Sequence, residues 1–363
     1  MRVPPRILLP KGKHGYIYTD ASSTRVIWLV IFVSLFILSQ IKTLILPAYF
    51  FSDASTIDGM IAARATFGAA DSYASTAAFF QIFGFRNSSA VLPILAFAVI
   101  LPAYMWGLTT SIANKIRMGE LAIVLFCFAL SIVYMTVLSK DIIVLILVML
   151  FAVRPARWPW LWLVLWLCLA SLYGYYFRTY WFIVIAIFLT LRVFFSISRK
   201  PILVWPVVFI TLFALAFVMQ VKLGVSMDSF RTSINDVRVQ AGDVNARTMI
   251  MPFIGGGSFM AGYLNVCITL FTLIVPVPLL LLGSPYYIMI FMLILLLHVN
   301  FFRGFSREVR QGSHSHLLEC ACLVISYLAV QSMFEPDYGS YVRHLSPFYC
   351  LMLGVWLNRP DTI

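Results

Sequence analysis

The sequence predicts an all-α polytopic integral membrane protein, and three observations support this fold class. Hydrophobic residues make up 62% of the 363 residues, charged residues only 11%, and the mean hydropathy is +0.94. Soluble domains carry about 25% charged residues, so a soluble fold of this length could not bury so much apolar surface. The apolar residues also form long runs, and a helix needs roughly 20 of them to cross a bilayer. Because backbone within the bilayer must satisfy its own hydrogen bonds, these runs are predicted to be helices.

The predicted spans follow one another through a single polytopic domain, 1–363. They are 26–49, 91–111, 120–138, 141–153, 158–177, 180–197, 202–220, 259–282, 285–302, 317–333 and 342–357. About 10–12 transmembrane helices are therefore expected. The first span follows a basic stretch and lacks a small-residue cleavage site, so we interpret it as a retained anchor.

Basic residues fall in alternate connections, and this pattern predicts the orientation. Lysine and arginine collect in cytoplasmic loops. Here they occupy the N-terminus and three alternate turns, which hold Lys115 and Arg117, Arg154 and Arg157, and Arg199 and Lys200. The N-terminus is therefore predicted to be cytoplasmic, with 50–90 and 221–258 outside. The net charge of +12 is explained by this topology and not by nucleic-acid binding.

Segment 248–283 is predicted to contain a re-entrant or broken helix. With simple crossings throughout, the basic segment 303–316 would lie outside, against the pattern of the first half. Pro276 and Pro278 interrupt the apolar sequence here, and irregular backbone is tolerated at depth where protein or a water-filled cavity covers it. Such a break places 334–344 outside and the C-terminus inside.

Segment 334–344 is the strongest active-site candidate. It lies between two apolar spans and contains Glu335, Asp337, Tyr338, Tyr341, Arg343 and His344. Burying such groups near the bilayer costs several kcal/mol each unless they are paired. The alternative is a polar hairpin that caps two helices.

Arg178 is a second candidate, because it lies between two apolar spans, flanked by aromatic residues in 175–181. An ionisable group in such a position usually faces a cavity or a partner, and a guanidinium binds phosphate through two parallel hydrogen bonds. The alternative is an interfacial aromatic belt with a snorkelling arginine.

Two further external segments carry charge. Segment 52–80 contains Asp53 and Asp71, and we interpret it as either a sugar-binding surface or a solvated loop. Segment 222–247 alternates in charge and ends at Arg247. Its Arg231 and Arg238 are two helical turns apart and could face one way, although an ordinary amphipathic surface helix explains the pattern equally well.

Three pieces of this sequence resemble the Wzy-type repeat-unit polymerases of bacterial surface polysaccharides (O-antigen, capsule and exopolysaccharide). These enzymes are relatives of the O-antigen ligases among the GT-C-like membrane glycosyltransferases. The pieces are segment 52–80, Phe-Arg-Thr-Tyr-Trp at 177–181, and Glu-Pro-Asp-Tyr-Gly-Ser-Tyr-Val-Arg-His at 335–344. The chain is short for such polymerases.

The resemblance implies a metal-independent glycosyl transfer, without a cofactor, on the outer face of the bacterial inner membrane. The implied partners are a polyprenyl-pyrophosphate-linked oligosaccharide donor, a similar acceptor, membrane lipid and a chain-length regulator protein. A pyrophosphate leaving group needs fixed cations, and Arg178, Arg343 and Arg247 are the candidates. The attacking hydroxyl needs a base, for which His344 is assigned, with Glu335 as substitute and Asp337 as orienting partner. Substrate contacts are further assigned to Tyr341, Asp71 and Asp53.

Two other function classes fit the composition. A flippase or transporter of lipid-linked oligosaccharides would need polar residues along several spans, whereas here the spans are poor in ionisable groups and the charges collect on one face. A membrane acyltransferase acting on a surface glycan could use His344, but the expected cytoplasmic His/Asp arrangement is absent from the sequence.

Overall fold

The computed structural model describes residues 21–86, 89–108, 116–155, 157–240, 247–312 and 315–358. Within these ranges the chain is helical and forms no β-strand; an isolated antiparallel bridge joins Met249 and Asp337. The predicted all-α fold is therefore confirmed. The basic stretch before residue 21 and Lys115, which were used to predict the orientation, lie outside the described residues.

The helices are numbered here in chain order. They are α1 Ala21–Ile45, α2 Ser52–Ala62, α3 Ser72–Ile82, α4 Val91–Gly107, α5 Met118–Met135, α6 Lys140–Ala152, α7 Pro159–Tyr176, α8 Trp181–Ile197, α9 Val204–Leu223, α10 Ser229–Gln240, α11 Phe259–Ile274, α12 Val277–Leu281, α13 Pro285–Gln311, α14 His316–Phe334, α15 Tyr338–Leu345 and α16 Tyr349–Leu357. Short 3₁₀ turns cover Ala48–Phe51, Pro201–Leu203 and Ser346–Phe348.

In the described part of the chain, six helical stretches are long and apolar enough to cross a membrane, and the protein is polytopic. These stretches are Val26–Ile45, Met118–Met135, Pro159–Tyr176, Pro201–Leu223, Pro285–Gln311 and His316–Phe334. The apolar helices α4, α8 and α11 are shorter. Apolar side chains such as Leu44, Leu172 and Phe217 are exposed on the outside of the bundle, as expected where lipid replaces water. By contrast, α14 is the central helix, since 89% of its apolar stretch is buried.

One end of the helix bundle is rich in arginine. Here His316 Nε2 lies 2.9 Å from the carbonyl oxygen of Ala152, Glu319 accepts hydrogen bonds from Arg154 and Arg192, and Arg307 donates to the carbonyl of Val355. We call this the basic end. The opposite end is formed where α6, α8 and α10 begin and where α7, α9 and α14 finish, and it carries the candidate site.

The predicted break within 248–283 is confirmed. Helix α11 starts at the candidate-site end, where Asn265 donates to Asp228 at 2.8 Å, and stops at Ile274. Pro276 lies just beyond this end and lacks the N–H that would continue the helix. The short α12 comes next. Helix α13 is about 40 Å long by helical rise and finishes at the basic end, so it also starts at the candidate-site end. The chain therefore enters the bundle along α11 and returns to the candidate-site end before α13 begins.

The last predicted span, 342–357, is divided in the structure. Pro347 lies in the 3₁₀ turn that separates α15 from α16. This division leaves α15 as an eight-residue helix at the candidate-site end. Its start is fixed by Asp337, whose side chain accepts from the amide of Ser340 as an N-cap.

Candidate active site

His344 lies in a hydrogen-bonded relay at the end of α15. Its Nδ1 is 2.9 and 3.0 Å from the two carboxyl oxygens of Glu335, and its Nε2 is 3.0 Å from Nη2 of Arg178. Because a guanidinium only donates hydrogen bonds, Nε2 is the acceptor, and the ring proton lies on Nδ1 and is donated to Glu335. We refer to Arg178, His344 and Glu335 as the relay.

Helix ends position all three members of the relay. Arg178 lies in the turn between α7 and α8, next to Phe177, whose ring stacks on Tyr173 with centroids 4.9 Å apart. Glu335 directly follows α14, and its amide donates to the carbonyl of Gln331. His344 lies in the last turn of α15. The relay thus joins residues 166 positions apart.

Arg343 forms the second part of the site. Its Nη2 donates to Oδ2 of Asp53, and its Nε donates to Oδ2 of Asp141 at 3.1 Å. Oδ1 of Asp141 is also 3.5 Å from Nη2 of Arg178, so this carboxylate connects the two arginines. The Asp141 side chain is fully buried, whereas 20% of Arg343 and 25% of Asp53 are exposed. Arg343 and Asp53 therefore form the accessible face of the site.

Helices α2 and α3 complete the site from the N-terminal side. The hydroxyl of Tyr73 donates to Oδ1 of Asp53 at 2.8 Å. Lys140 lies with its Nζ 3.8 Å from Oδ2 of Asp53 and 3.5 Å above the ring of Tyr73. Residues of segments 52–80, 177–181 and 335–344 therefore meet in one cluster.

The environment of His344 favours its neutral form. Burial lowers the pKa of His344 well below its ordinary value, and the positive charges of Arg178 and Arg343 lower it further. Burial also raises the pKa of Glu335 well above its ordinary value, with an added contribution from Asp337. A neutral imidazole whose Nε2 lone pair points at a guanidinium can accept a proton once that guanidinium turns away.

The carboxylate of Asp53 is held in its ionised form. Burial acts to raise its pKa, but the positive charges of Arg343 and Lys140 outweigh this effect and hold the pKa of Asp53 below its ordinary value. The cluster therefore contains three cationic side chains, those of Arg178, Arg343 and Lys140, balanced mainly by Asp53 and Asp141. A phosphate group that reaches the arginines competes directly with these two carboxylates.

Asp337 stands beside the relay and not within it. Besides capping α15 through Oδ1, it accepts a hydrogen bond from Nη1 of Arg238 at 2.6 Å through Oδ2. Arg238 lies on α10, so this ion pair fixes α10 against the segment that carries Glu335. From this position, Asp337 holds segment 334–344 in place.

Helix α10 turns its polar face toward the protein. Arg231 donates to the carbonyl of Ser332 at 2.9 Å, and Asn235 donates to that of Pro336 at 3.3 Å. Arg231 and Arg238 therefore do face one way, as their spacing suggested. The opposite face carries an apolar stripe of exposed residues, Phe230, Ile234 and Val237.

Three residues predicted for substrate contact lie elsewhere in the structure. Tyr341 is fully buried, with its hydroxyl 3.0 Å from Nε2 of His298. Asp71 is exposed and accepts from the amide of Ala74, as the N-cap of α3. Arg247 is exposed at the start of the strand-like segment that pairs with 336–338, and its side chain is not part of the cluster.

The sequence analysis did not select Asp141, Lys140, Tyr73, Tyr180 or Arg238 as site residues. A signal existed for Asp141, which follows the N-cap Ser139 at the start of an apolar helix. A carboxylate at that depth requires a cation from another segment. Tyr180, whose hydroxyl accepts from Nη1 of Arg178 at 2.8 Å, was part of the quoted aromatic motif.

Comparisons of the chain with protein-family models, with curated proteins and with solved structures return no significant match.

Proposed function

We propose that this chain is a membrane glycosyltransferase that polymerises polyprenyl-pyrophosphate-linked oligosaccharide repeat units on the outer face of the bacterial inner membrane. The observation that carries the proposal is the convergence of a neutral, oriented histidine and two arginines at one end of a membrane-spanning bundle. A base next to fixed cations is the equipment that transfer from a pyrophosphate-activated sugar requires.

In the proposed reaction, the acceptor hydroxyl attacks the anomeric carbon of the donor. The bond between this carbon and the pyrophosphate oxygen breaks, the hydroxyl proton passes to Nε2 of His344, and polyprenyl pyrophosphate leaves. Glu335 accepts a hydrogen bond from Nδ1–H and so holds the ring with Nε2 directed toward the reacting groups. Arg178 and Arg343 neutralise charge on the leaving group, and Arg178 gives up its bond to Nε2 because phosphate is the stronger acceptor.

The polyprenyl chain of the donor needs an apolar surface close to the arginines. The exposed stripe of α10 supplies one, because the ring of Phe230 is 5.6 Å from that of Phe334, which in turn is 5.4 Å from Tyr180. Tyr180 contacts Arg178 directly. An amphiphile lying along this path would place its head at the relay.

Membrane localisation in the bacterial inner membrane with a cytoplasmic N-terminus is part of the same proposal. The concentration of arginine at the basic end supports it, because positive charge is retained in the cytoplasm. A chain-length regulator protein is the proposed partner for polymer length.

Polymerisation of purified lipid-linked repeat unit in liposomes tests the proposal. Wild-type protein is expected to convert monomers to a ladder of polymer on a gel. Loss of a general base typically costs about 10²–10⁴-fold in rate, so His344→Ala should leave single repeats. His316→Gln, at the basic end, is the matched control and should polymerise normally.

Two results would argue against this function. Full-length polymer from His344→Ala at the wild-type rate would remove the base from the relay. Monomers that cross the liposome membrane without being consumed would instead indicate a transporter.

A further inference from the structure

A second candidate binding site lies toward the basic end, away from the relay. Helices α9, α11 and α13 line an open surface groove of about 850 Å³. Its lining residues are Trp205, Ile274, Val299, Phe302, Arg303, Ser306, Arg307, Arg310 and Gln311. The proposed glycosyl transfer does not use any of them.

The groove is divided along its length into an apolar half and a cationic half. Val299 and Phe302 precede Arg303, Arg307 and Arg310 on α13, and at 1.5 Å per residue the distance from Val299 to Arg310 is about 16 Å. The spacing of four and then three residues places the three arginines on one face of the helix. The groove is therefore apolar toward the middle of the bundle and cationic toward its basic end.

The apolar half has rigid aromatic walls. The ring of Trp205 on α9 lies 5.3 Å from that of Phe302 and 5.6 Å from that of Phe271. Ile274, at the broken end of α11, also lines this half. The break at Pro276 thus shapes the groove, because a continuous helix would run past this point.

The cationic half has more positive than negative charge. Among the described residues, the ion pairs of this wall are confined to Arg307 with Glu308. The second oxygen of Glu308 accepts from Ser315 at 2.8 Å. Arg303 and Arg310 are exposed. The groove is therefore lined by three guanidinium groups, of which only that of Arg307 is paired with a carboxylate among the described residues, and the groove has charge complementarity for an anion.

We infer that this groove binds an anionic glycerophospholipid, with the phosphodiester at Arg303 and Arg310 and an acyl chain against Trp205 and Phe302. The order of the two halves matches the order of head and tail in such a lipid. Basic pockets between transmembrane helices are a known mode of lipid headgroup binding, and arginine binds phosphate oxygens in pairs.

Native mass spectrometry of the full chain in detergent tests the site. The delipidated protein is titrated with phosphatidylglycerol, with zwitterionic phosphatidylcholine of the same chains, and with water-soluble glycerophosphoglycerol. Only phosphatidylglycerol should give a retained 1:1 complex, because the site needs both halves of the ligand. Equal retention of phosphatidylcholine would contradict the inference, and so would retention of the soluble headgroup alone.

Two variants localise the binding. Arg303→Gln with Arg310→Gln leaves the structural Arg307 pair intact and should weaken phosphatidylglycerol binding about 30-fold, at about 1 kcal/mol for each cation. The matched control, Arg157→Gln with Lys200→Gln, removes the same charge at the same end outside the groove and should bind normally.

Ser306→Phe fills the groove without changing its charge and should also abolish the complex. Equal weakening in the control variant would show a general charge effect, and unchanged binding in Ser306→Phe would exclude the groove. Polyprenyl phosphate serves as a competitor; if it displaces phosphatidylglycerol at equal concentration, the groove is a substrate site and the inference is overturned. Each readout is a binding measurement, independent of polymerisation.

Discussion

At the scale of single residues, the chemistry of the site depends on which group Arg178 contacts. Its guanidinium lies between Tyr180, Asp141 and His344, so it can leave one acceptor for another without a change in helix packing. A lysine at this position would keep the charge but lose the planar pair of donors. In the proposed reaction, the side chain would therefore act through its geometry as well as its charge.

The first prediction follows from this geometry. Arg178→Lys should lower the rate of monomer consumption by about 10- to 100-fold, the effect of losing one charge-assisted hydrogen bond. Arg192→Lys, which changes an arginine paired with Glu319 at the basic end, is the control and should retain activity. Normal polymerisation by Arg178→Lys at equal protein level would exclude the bidentate role.

The second prediction concerns pH. Burial and the charges of Arg178, Arg343 and Lys140 lower the pKa of His344, so the neutral base should persist below the ordinary histidine value of about 6.5. Activity is lost as the pH falls through this pKa. Removing a nearby cation raises the pKa of His344, and Lys140→Met should therefore move the acid limb of the rate profile to higher pH.

The rate of monomer consumption, followed from neutral pH down to well below about pH 6.5, measures this shift. Lys222→Met, at the exposed end of α9, should leave the limb in place. A limb that does not move in Lys140→Met would indicate that another group titrates.

The residue scale also marks the limit of prediction from sequence. Glu335, Arg343 and His344 could be selected because they lie together between two apolar runs, where isolated charges are costly. Their partner Asp141 could not be assigned, since it is 202 positions from Arg343 and only folding brings the two together. Tyr341 was selected for its place in the motif. In the helix its side chain points away from the site, toward His298 in the bundle interior.

At the scale of helices, the spans were predictable and their interruptions were only partly so. The runs around α5, α7 and α14 matched single helices, because a long apolar run in a membrane has only helical solutions. Pro276 signalled the break after α11 in the sequence. Pro347 divides α15 from α16 within a run that sequence analysis took as one span, and this division is what places His344 at a helix end.

The third prediction belongs to α15 and its cap. Asp337→Asn should keep the cap, since asparagine is also a good N-cap residue, and lose only the ion pair with the partly exposed Arg238. Asp337→Ala should lose the cap as well and be less stable by about a further 1 kcal/mol. Thermal unfolding in detergent compares the two variants.

Activity distinguishes positioning from chemistry at Asp337. If it positions the hairpin, Asp337→Asn polymerises at close to the wild-type rate. The pair Asp71→Asn and Asp71→Ala, at the equivalent cap of α3, should show the same order of stability. An Asp337→Asn variant of normal stability that is as inactive as His344→Ala would instead assign Asp337 to the reaction.

At the scale of the whole molecule, the two ends of the bundle differ in composition, and the difference predicts orientation. In the part of the chain that the structure describes, the basic end carries Arg154, Arg192 and Arg307 in ion pairs with only Glu319 and Glu308. At the candidate-site end, the cations are matched by Asp53, Asp141 and Asp337. Net positive charge therefore remains at one end, and the positive-inside rule predicts that this end is cytoplasmic.

The fourth prediction tests this orientation with single cysteines in a variant whose native cysteines are replaced. Ser233→Cys is exposed on α10 at the candidate-site end, and Lys200→Cys is exposed before α9 at the basic end. An impermeant thiol reagent should label Ser233→Cys in spheroplasts and label Lys200→Cys only after the membrane is permeabilised. Both positions are labelled because counting helices does not give the orientation. The break at Pro276 makes α11 and α13 start at the same end of the bundle. Labelling of Lys200→Cys alone in intact spheroplasts would place the relay in the cytoplasm and exclude transfer on the outer face.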